Sequence, residues 1–284
     1  CHTSRMIHTK APAKDDLSAD RGTQNARQET AVELGDLVQQ IHYLHHPSTL
    51  RWIGLTVTAG NGRFDRSEKR TVVASTSAHL CSGCTALMGP SGSGKTSLLN
   101  AATGLRTSGL YTQGRVLLDG VPLEHWHRGA ISLVPQDDVL PAELNAREAL
   151  IFACALSVPW ALIADRLALV EAVLSKLHLL PIAHNLIGRR LAGGRGISGG
   201  ERKRVSIGAS IVTCPRILFL DEPSSGLDAY RAFEIGQLLH SLAEHSNRLV
   251  LLSVHQPSSQ LFGLFDSLFL LADGRTVYHG SPSE

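Results

Sequence analysis

The chain has 284 residues and a net charge of +2, so it is long enough for one large core or two modest ones. Charge this evenly balanced provides no clustered basic face of the kind nucleic acid requires, and no uninterrupted apolar run approaches the ~20 residues of a membrane-spanning helix. Five cysteines, an odd number in a chain of this length, suit a reducing compartment better than a disulfide scaffold.

Residues 1 to about 30 are rich in Lys, Asp, Ser, Thr and Gln and poor in large apolar groups, the composition of a disordered leader. From Val32 through Leu37, Ile41 and Leu44 the apolar residues recur at roughly helical spacing, which allows a short amphipathic helix despite Gly35. His42, His45 and His46 have no neighbouring cysteine or carboxylate to complete a metal site and read as solvated side chains. A start at Cys1 rather than Met, without a signal peptide, suggests a piece of something longer.

The folded part is expected from residue 48 onward. Leu50, Trp52, Leu55 and Val57 mark a strand, Asn61-Gly62 supplies a hairpin turn, and Thr71 to Ala74 form the returning strand. Cys81 and Cys84 make a C-x-x-C with no second pair to complete a zinc site, so they read as loop and strand residues. Thr85-Ala86-Leu87-Met88 is a short buried strand that runs into Gly89-Pro90-Ser91-Gly92-Ser93-Gly94-Lys95-Thr96, a full match to the phosphate-loop spacing. Ser97-Leu98-Leu99-Asn100-Ala101-Ala102 then begins a helix, which gives the loop its strand-loop-helix context. Glycines 89, 92 and 94 let backbone N–H groups wrap the phosphates, the helix N-terminus adds positive potential, and Lys95 neutralises the β and γ oxygens. The hydroxyl of Thr96 is the expected Mg²⁺ ligand.

Arg115 to Leu118 and Ile131 to Val134 are further strands, the second leading directly into Pro135-Gln136-Asp137-Asp138. Between Glu143 and Gly188 the pattern turns helical. A buried helix from Ala149 is expected to stop near Pro159, and Leu162, Leu167, Leu169, Val173, Leu174 and Leu177 fill one side of a second helix closed by Pro181. Next comes Gly196-Ile197-Ser198-Gly199-Gly200-Glu201-Arg202-Lys203-Arg204, then the apolar strand Ile217 to Leu220 ending in Asp221-Glu222. An aspartate at the carboxyl end of a buried strand can orient Mg²⁺-bound water, and the adjacent Glu222 can position or deprotonate the attacking water. Ser198-Gly199-Gly200 precedes a helix and can bind a γ-phosphate as a second anion site. Ser267 to Leu271 and Thr276 to His279 are strands joined across Asp273-Gly274.

Taken together, in this order and spacing, these segments resemble the nucleotide-binding domain of an ABC transporter, from about residue 50 to the end. Gly89 to Thr96 resembles the Walker A loop, Gln136 the Q-loop glutamine, Ile197 to Glu201 the signature motif, and Ile217 to Asp221 Walker B. Glu222 matches its catalytic glutamate, Ser225-Gly226-Leu227-Asp228 the D-loop and His255 the switch histidine. Val134 to Asp138, Gly199 to Arg204, Ser253 to Ser258 and Leu264-Phe265-Asp266 are similar to the G subfamily, the White and pleiotropic-drug type. One departure is that the position where the family often stacks an aromatic ring on adenine falls near Val57, with Trp52 the nearest aromatic.

Alternatives in other classes fit less well. A chromosome-organising ATPase would place a long coiled coil between the two halves, whereas about a hundred residues lie there without sustained heptads. A soluble ATPase of ABC type usually carries two cassettes, and a P-loop small-molecule kinase would not explain Ser198-Gly199-Gly200 or His255.

The expected fold is therefore α/β: a P-loop NTPase of ABC type with a mostly parallel sheet, an antiparallel β subdomain and a helical subdomain at about 140–197, following a polar leader over 1–47. The resemblance implies ATP and Mg²⁺ as cofactors. It assigns Glu222, His255 and Gln136 to catalysis, Thr96, Gln136 and Asp221 to the metal, and Gly89 to Ser97 with Ser198, Gly199, Gly200 and Asp228 to the nucleotide. It also implies a second ATP-binding domain as partner, a membrane domain of the same parent chain that lies outside this sequence, and a place on the cytoplasmic face of a membrane. Export of lipid, sterol or xenobiotic-like molecules is the implied work.

Overall fold

The computed structural model describes residues 47–60, 70–104, 109–126, 128–157, 163–188 and 196–283. The leader, the segment from Val32 to Leu44, the three histidines, the Asn61-Gly62 turn, Pro159 and Leu162 lie outside the described residues.

Two sheets result from two kinds of strand. β1 (Thr49–Ala59) and β2 (Arg70–Cys81) pair antiparallel, Thr49 opposite Cys81 and Ala59 opposite Arg70. A register irregularity between Trp52 and Leu55 puts Leu50, Trp52, Leu55 and Val57 all in the core although their spacing is not uniformly two. After β3 (Gly83–Met88), β4 (Leu110–Leu118) pairs along the other edge of β1, and β5 (Val121–Pro122) completes the order β2-β1-β4-β5.

The second sheet is built from shorter, more continuously apolar strands, which need cover on both faces and so favour parallel pairing between helices. β6 (Ile131–Val134), β7 (Ile217–Leu220), β8 (Leu249–Ser253), β9 (Ser267–Ala272) and β10 (Arg275–Gly280) join β3 in the order β10-β9-β3-β8-β7-β6. All neighbours run parallel except β9 and β10. Alternate residues serve opposite cores: Ile217, Phe219, Leu249 and Leu251 face one, Leu218, Leu220, Val250 and Leu252 the other.

The first core lies under the antiparallel sheet and takes Leu98, Leu99 and Ala102 of α1 (Lys95–Ala102). The second is covered by α2 (Ala146–Ser157), α3 (Ile163–Lys176), α4 (Gly199–Ile211) and α5 (Ala229–His245), with the single turn α6 (Ser259–Phe262) beside α5. Leu169, Val173, Leu174 and Leu177 are buried as expected, but Leu167 is half exposed. It stands about 200° round the helix from Leu169, on the opposite side. The helix also ends before Pro181: His178 adopts φ 51, and Leu180–Ile182 form a separate 3-10 turn. Among the described residues no helix is long and apolar enough to cross a membrane.

Candidate nucleotide site

The parallel sheet arranges the site. Its strands β3, β8, β7 and β6 lie side by side, so their carboxyl ends release the phosphate loop, the Ser253–His255 turn, Asp221-Glu222 and Gln136 in a row along one edge.

The loop after β3 enters α1 through Gly94. Gly89 is required there by a neighbouring strand: a Cβ would sit 2.1 Å from the carbonyl oxygen of Leu271. At Gly92, by contrast, nothing lies within 4 Å of a would-be Cβ, which leaves space over the loop for a ligand. Lys95 is buried, and its Nζ donates to the carbonyls of Gly89 at 2.9 Å and Pro90 at 3.0 Å. An ammonium has three donors, so one remains for a phosphate oxygen. Ser93 is buried and its Oγ has no hydrogen-bond partner among the described residues, an orphaned polar atom inside the loop. Thr96 is exposed on the first turn of α1 and Ser97 is half-buried beside it. The β9–β10 turn braces this loop from below. Asp273 (φ 47) and Gly274 (φ 70) make the tight turn, Gly274 N–H donates to Ser93 O at 3.0 Å, and Ala74 N–H donates to Gly274 O at 2.7 Å.

Asp221 closes β7 and is buried. It accepts a hydrogen bond from Ser253 Oγ at 2.5 Å, while the same oxygen accepts from the Glu222 backbone N–H at 2.8 Å. Glu222 sits at φ 47, and its side chain meets Gln136, whose Nε2 donates to Glu222 Oε2 at 3.0 Å. Gln136, Asp221 and Glu222 are thus brought together by direct bonds and by Ser253. Among the described residues no group of three or more His, Cys, Asp or Glu could cage a metal by itself. A hydroxyl, an amide and one or two carboxylates suit Mg²⁺, which completes its shell with water and phosphate.

Ser198 lies elsewhere. It caps α4 in a reciprocal capping box: Glu201 N–H donates to Ser198 Oγ at 3.3 Å, and Ser198 N–H donates to Glu201 Oε2 at 2.7 Å. That backbone bond to Ser198 is the main reason the Glu201 carboxyl is held below its ordinary value. The Gly199 and Gly200 N–H groups have no intrahelical partner at this position of a helix. Leu227 packs against Gly200, where a Cβ would lie 3.0 Å from Leu227 Cδ2. Asp228 caps α5 by accepting from Arg231 N–H at 3.0 Å. No hydrogen bond or ion pair among the described residues joins Ser198, Gly199, Gly200 or Asp228 to the phosphate loop. His255 is exposed just beyond β8, and among the described residues no hydrogen bond or ion pair ties it to Glu222.

Val57 and Trp52 are both in the core, Trp52 edge-on to Phe269 with ring centroids 5.6 Å apart, so neither presents a face to adenine. Two residues with a part in the site lie in segments that resemble the G subfamily but take no role from the sequence alone: Ser253, and Lys203, whose buried Nζ donates to the carbonyls of Pro135 at 3.1 Å and Gln136 at 2.6 Å.

Residues 80–225 match the family model described as ABC transporter. Among curated proteins the chain is similar to ABC transporter G family member 11 of Arabidopsis thaliana, 41% identical over 239 residues, covering 83% of this chain and 33% of that protein. It is 42% identical over 205 residues to Protein white of Drosophila melanogaster, covering 70% of this chain and 29% of that one. The chain therefore spans no more than about a third of the length of these relatives. Among solved structures, a dimeric ATP-binding cassette in a post-hydrolysis state, bound to ADP and Pi, superposes with a TM-score of 0.66 at 21% identity. The match covers 82% of this chain and 98% of that one, which makes it a likeness of fold.

Proposed function

Since this chain belongs to the ABC transporter family, as an ATP-binding and ATP-hydrolysing cassette similar to those of the G family, we propose that it powers transmembrane export through a membrane domain of its parent chain. The observation that carries the hydrolytic part is the row of Gln136, Asp221 and Glu222 on the same sheet edge as the phosphate loop, with Gln136 bonded to Glu222.

Backbone N–H groups of the loop, other than that of Pro90, which has none, and the spare donor of Lys95 hold the β and γ oxygens, with Ser91, Ser93 and Ser97 lining the loop. Thr96, Gln136 and Asp221 would hold Mg²⁺, which when bound neutralises charge on those oxygens. Glu222 orients the attacking water and accepts its proton as the new O–P bond forms and the bond to the ADP oxygen breaks. Gln136 fixes the Glu222 carboxylate for this work, and His255 contacts the γ-phosphate. Ser198, Gly199 and Gly200, with Asp228, serve the nucleotide of a second ATP-binding domain in a symmetric head-to-tail pair.

Exposed Val139, Phe152 and Leu156 offer apolar surface on the Gln136 loop and α2, which supports docking of the membrane domain there and a place on the cytoplasmic face. The cargo class, lipid, sterol or xenobiotic-like, rests on the G-family resemblance alone.

The test is Glu222→Gln beside Lys95→Ala, each assayed for ATP binding on filters and for phosphate release. Glu222→Gln is expected to keep binding and slow turnover by at least about a hundredfold, whereas Lys95→Ala weakens binding itself. Near-normal turnover in the glutamine variant would remove Glu222 from the role of principal catalytic carboxylate.

A further inference from the structure

Lys203 is a cation with almost no access to water. It projects from α4, five positions after Ser198, and is 5% exposed. Its Nζ donates to two carbonyls on one loop, Pro135 O at 3.1 Å and Gln136 O at 2.6 Å, and its charge lies 3.1 Å from Asp138 Oδ1 as an ion pair without a hydrogen bond. Asp138 is itself largely buried, its side chain 13% exposed. The residue making the shortest of these contacts, Gln136, is also the one whose side chain donates to Glu222.

We propose that Lys203 is a positioning residue for hydrolysis, which carries the seating of α4 to Gln136 and, through Gln136, to Glu222. This rests on the roles given to Gln136, Glu222 and Ser198 above. The physical reasoning is short. α4 is a rigid rod whose first turn, at Ser198-Gly199-Gly200, lies about 5 to 8 Å along the axis from Lys203. A displacement of that first turn moves the ammonium with it. The loop follows the ammonium, because losing it would leave the largely buried Asp138 carboxylate without its ion-pair partner and both carbonyls without this donor. The Gln136 backbone is thereby registered to the helix that addresses the second nucleotide, and the amide of Gln136 passes that register to the carboxylate facing the water. A cation used only to hold the fold would stabilise the loop equally well without any link to turnover.

The experiment uses the full-length protein with its membrane domain. Lys203→Met keeps the length of the side chain and removes its charge and donors; Lys203→Arg restores a buried cation. In Lys203→Met, kcat is expected to fall about tenfold to hundredfold with ATP affinity within about threefold, and deuterium uptake of the amides of 136–138 to rise; Lys203→Arg recovers part of both. Combined with Gln136→Ala, Lys203→Met should lower kcat no further than Gln136→Ala does alone. Independent, multiplicative losses would overturn the proposal, as would a fall in kcat with unchanged exchange at 136–138. Should Lys203→Met not fold, Asp138→Asn removes the charge of one acceptor only and is expected to show the same non-additivity more weakly. Normal turnover in Gln136→Ala would sink the assignment of Gln136 itself, whereas normal turnover in Lys203→Met beside an impaired Gln136→Ala would sink this proposal alone.

Discussion

Removing a single buried hydroxyl, in Ser253→Ala, separates the geometry of the candidate site from its chemistry. Ser253 is fully buried at the end of β8; its Oγ donates to Asp221 Oδ1 at 2.5 Å and accepts from Glu222 N–H at 2.8 Å. Alanine fills almost the same volume, so cavity formation adds little and the cost is the two lost bonds. A hydrogen bond to a charged group contributes about 1.5 to 3 kcal/mol and a neutral one about 0.5 to 1.5 kcal/mol, which gives roughly 2 to 4.5 kcal/mol together. Urea unfolding of the 284-residue chain should show an unchanged slope and a midpoint lower by about 1 M. Turnover should fall at least about tenfold, because Asp221 and the backbone of Glu222, held at φ 47, lose their common anchor. Ser253→Thr keeps the hydroxyl and is expected to retain most of the stability and turnover. A Ser253→Ala variant with its urea midpoint within about 0.2 M of the parent and near-normal phosphate release would refute the view that Ser253 holds the two acids in place.

Two further outcomes are expected. Lys95→Ala and Ser198→Arg should each inactivate a homodimer, yet full-length chains carrying one change each, co-expressed under two tags and isolated as mixed dimers, should regain part of the ATP hydrolysis. Such a dimer keeps one site made from Lys95 of one copy and Ser198 of the other, and no recovered activity would favour a site built within one chain. Burial also pushes the thiol of Cys84 up to about 12, aided by Asp266, and that of Cys154 up to about 11, aided by Cys214, while Cys81 is exposed. At pH 8 the two raised thiols are deprotonated to about one part in a thousand or less, so in a Cys1→Ser background Ellman's reagent should titrate one cysteine rapidly and the others only in denaturant. Rapid titration of a second cysteine in the native protein would contradict the packing around β3, α2 or Cys214.

Much of this molecule is written in contiguous residues. The phosphate loop, its entry strand and its exit helix are legible because each step is local backbone chemistry: an apolar strand, glycines that permit the turn, and a helix-forming run after Lys95. The same holds for the Asp273-Gly274 hairpin, where both turn residues take positive φ. Recognition of a motif did not by itself reveal what holds the motif. Gly89 reads as a phosphate-loop glycine, but the demand for it comes from the Leu271 backbone on β9, distant in sequence. The faces of Trp52 and Val57 were undecided until the two sheets closed over them. Gln136 and Glu222 are 86 residues apart, and only the strand order β3-β8-β7-β6 sets their ends beside each other, with Ser253 between the acids and Lys203 behind the loop. Local sequence determines which dihedral angles and which buried faces are affordable. Partnership between distant side chains depends on how the helical crossovers order the strands, and that order is decided by the packing of the whole chain.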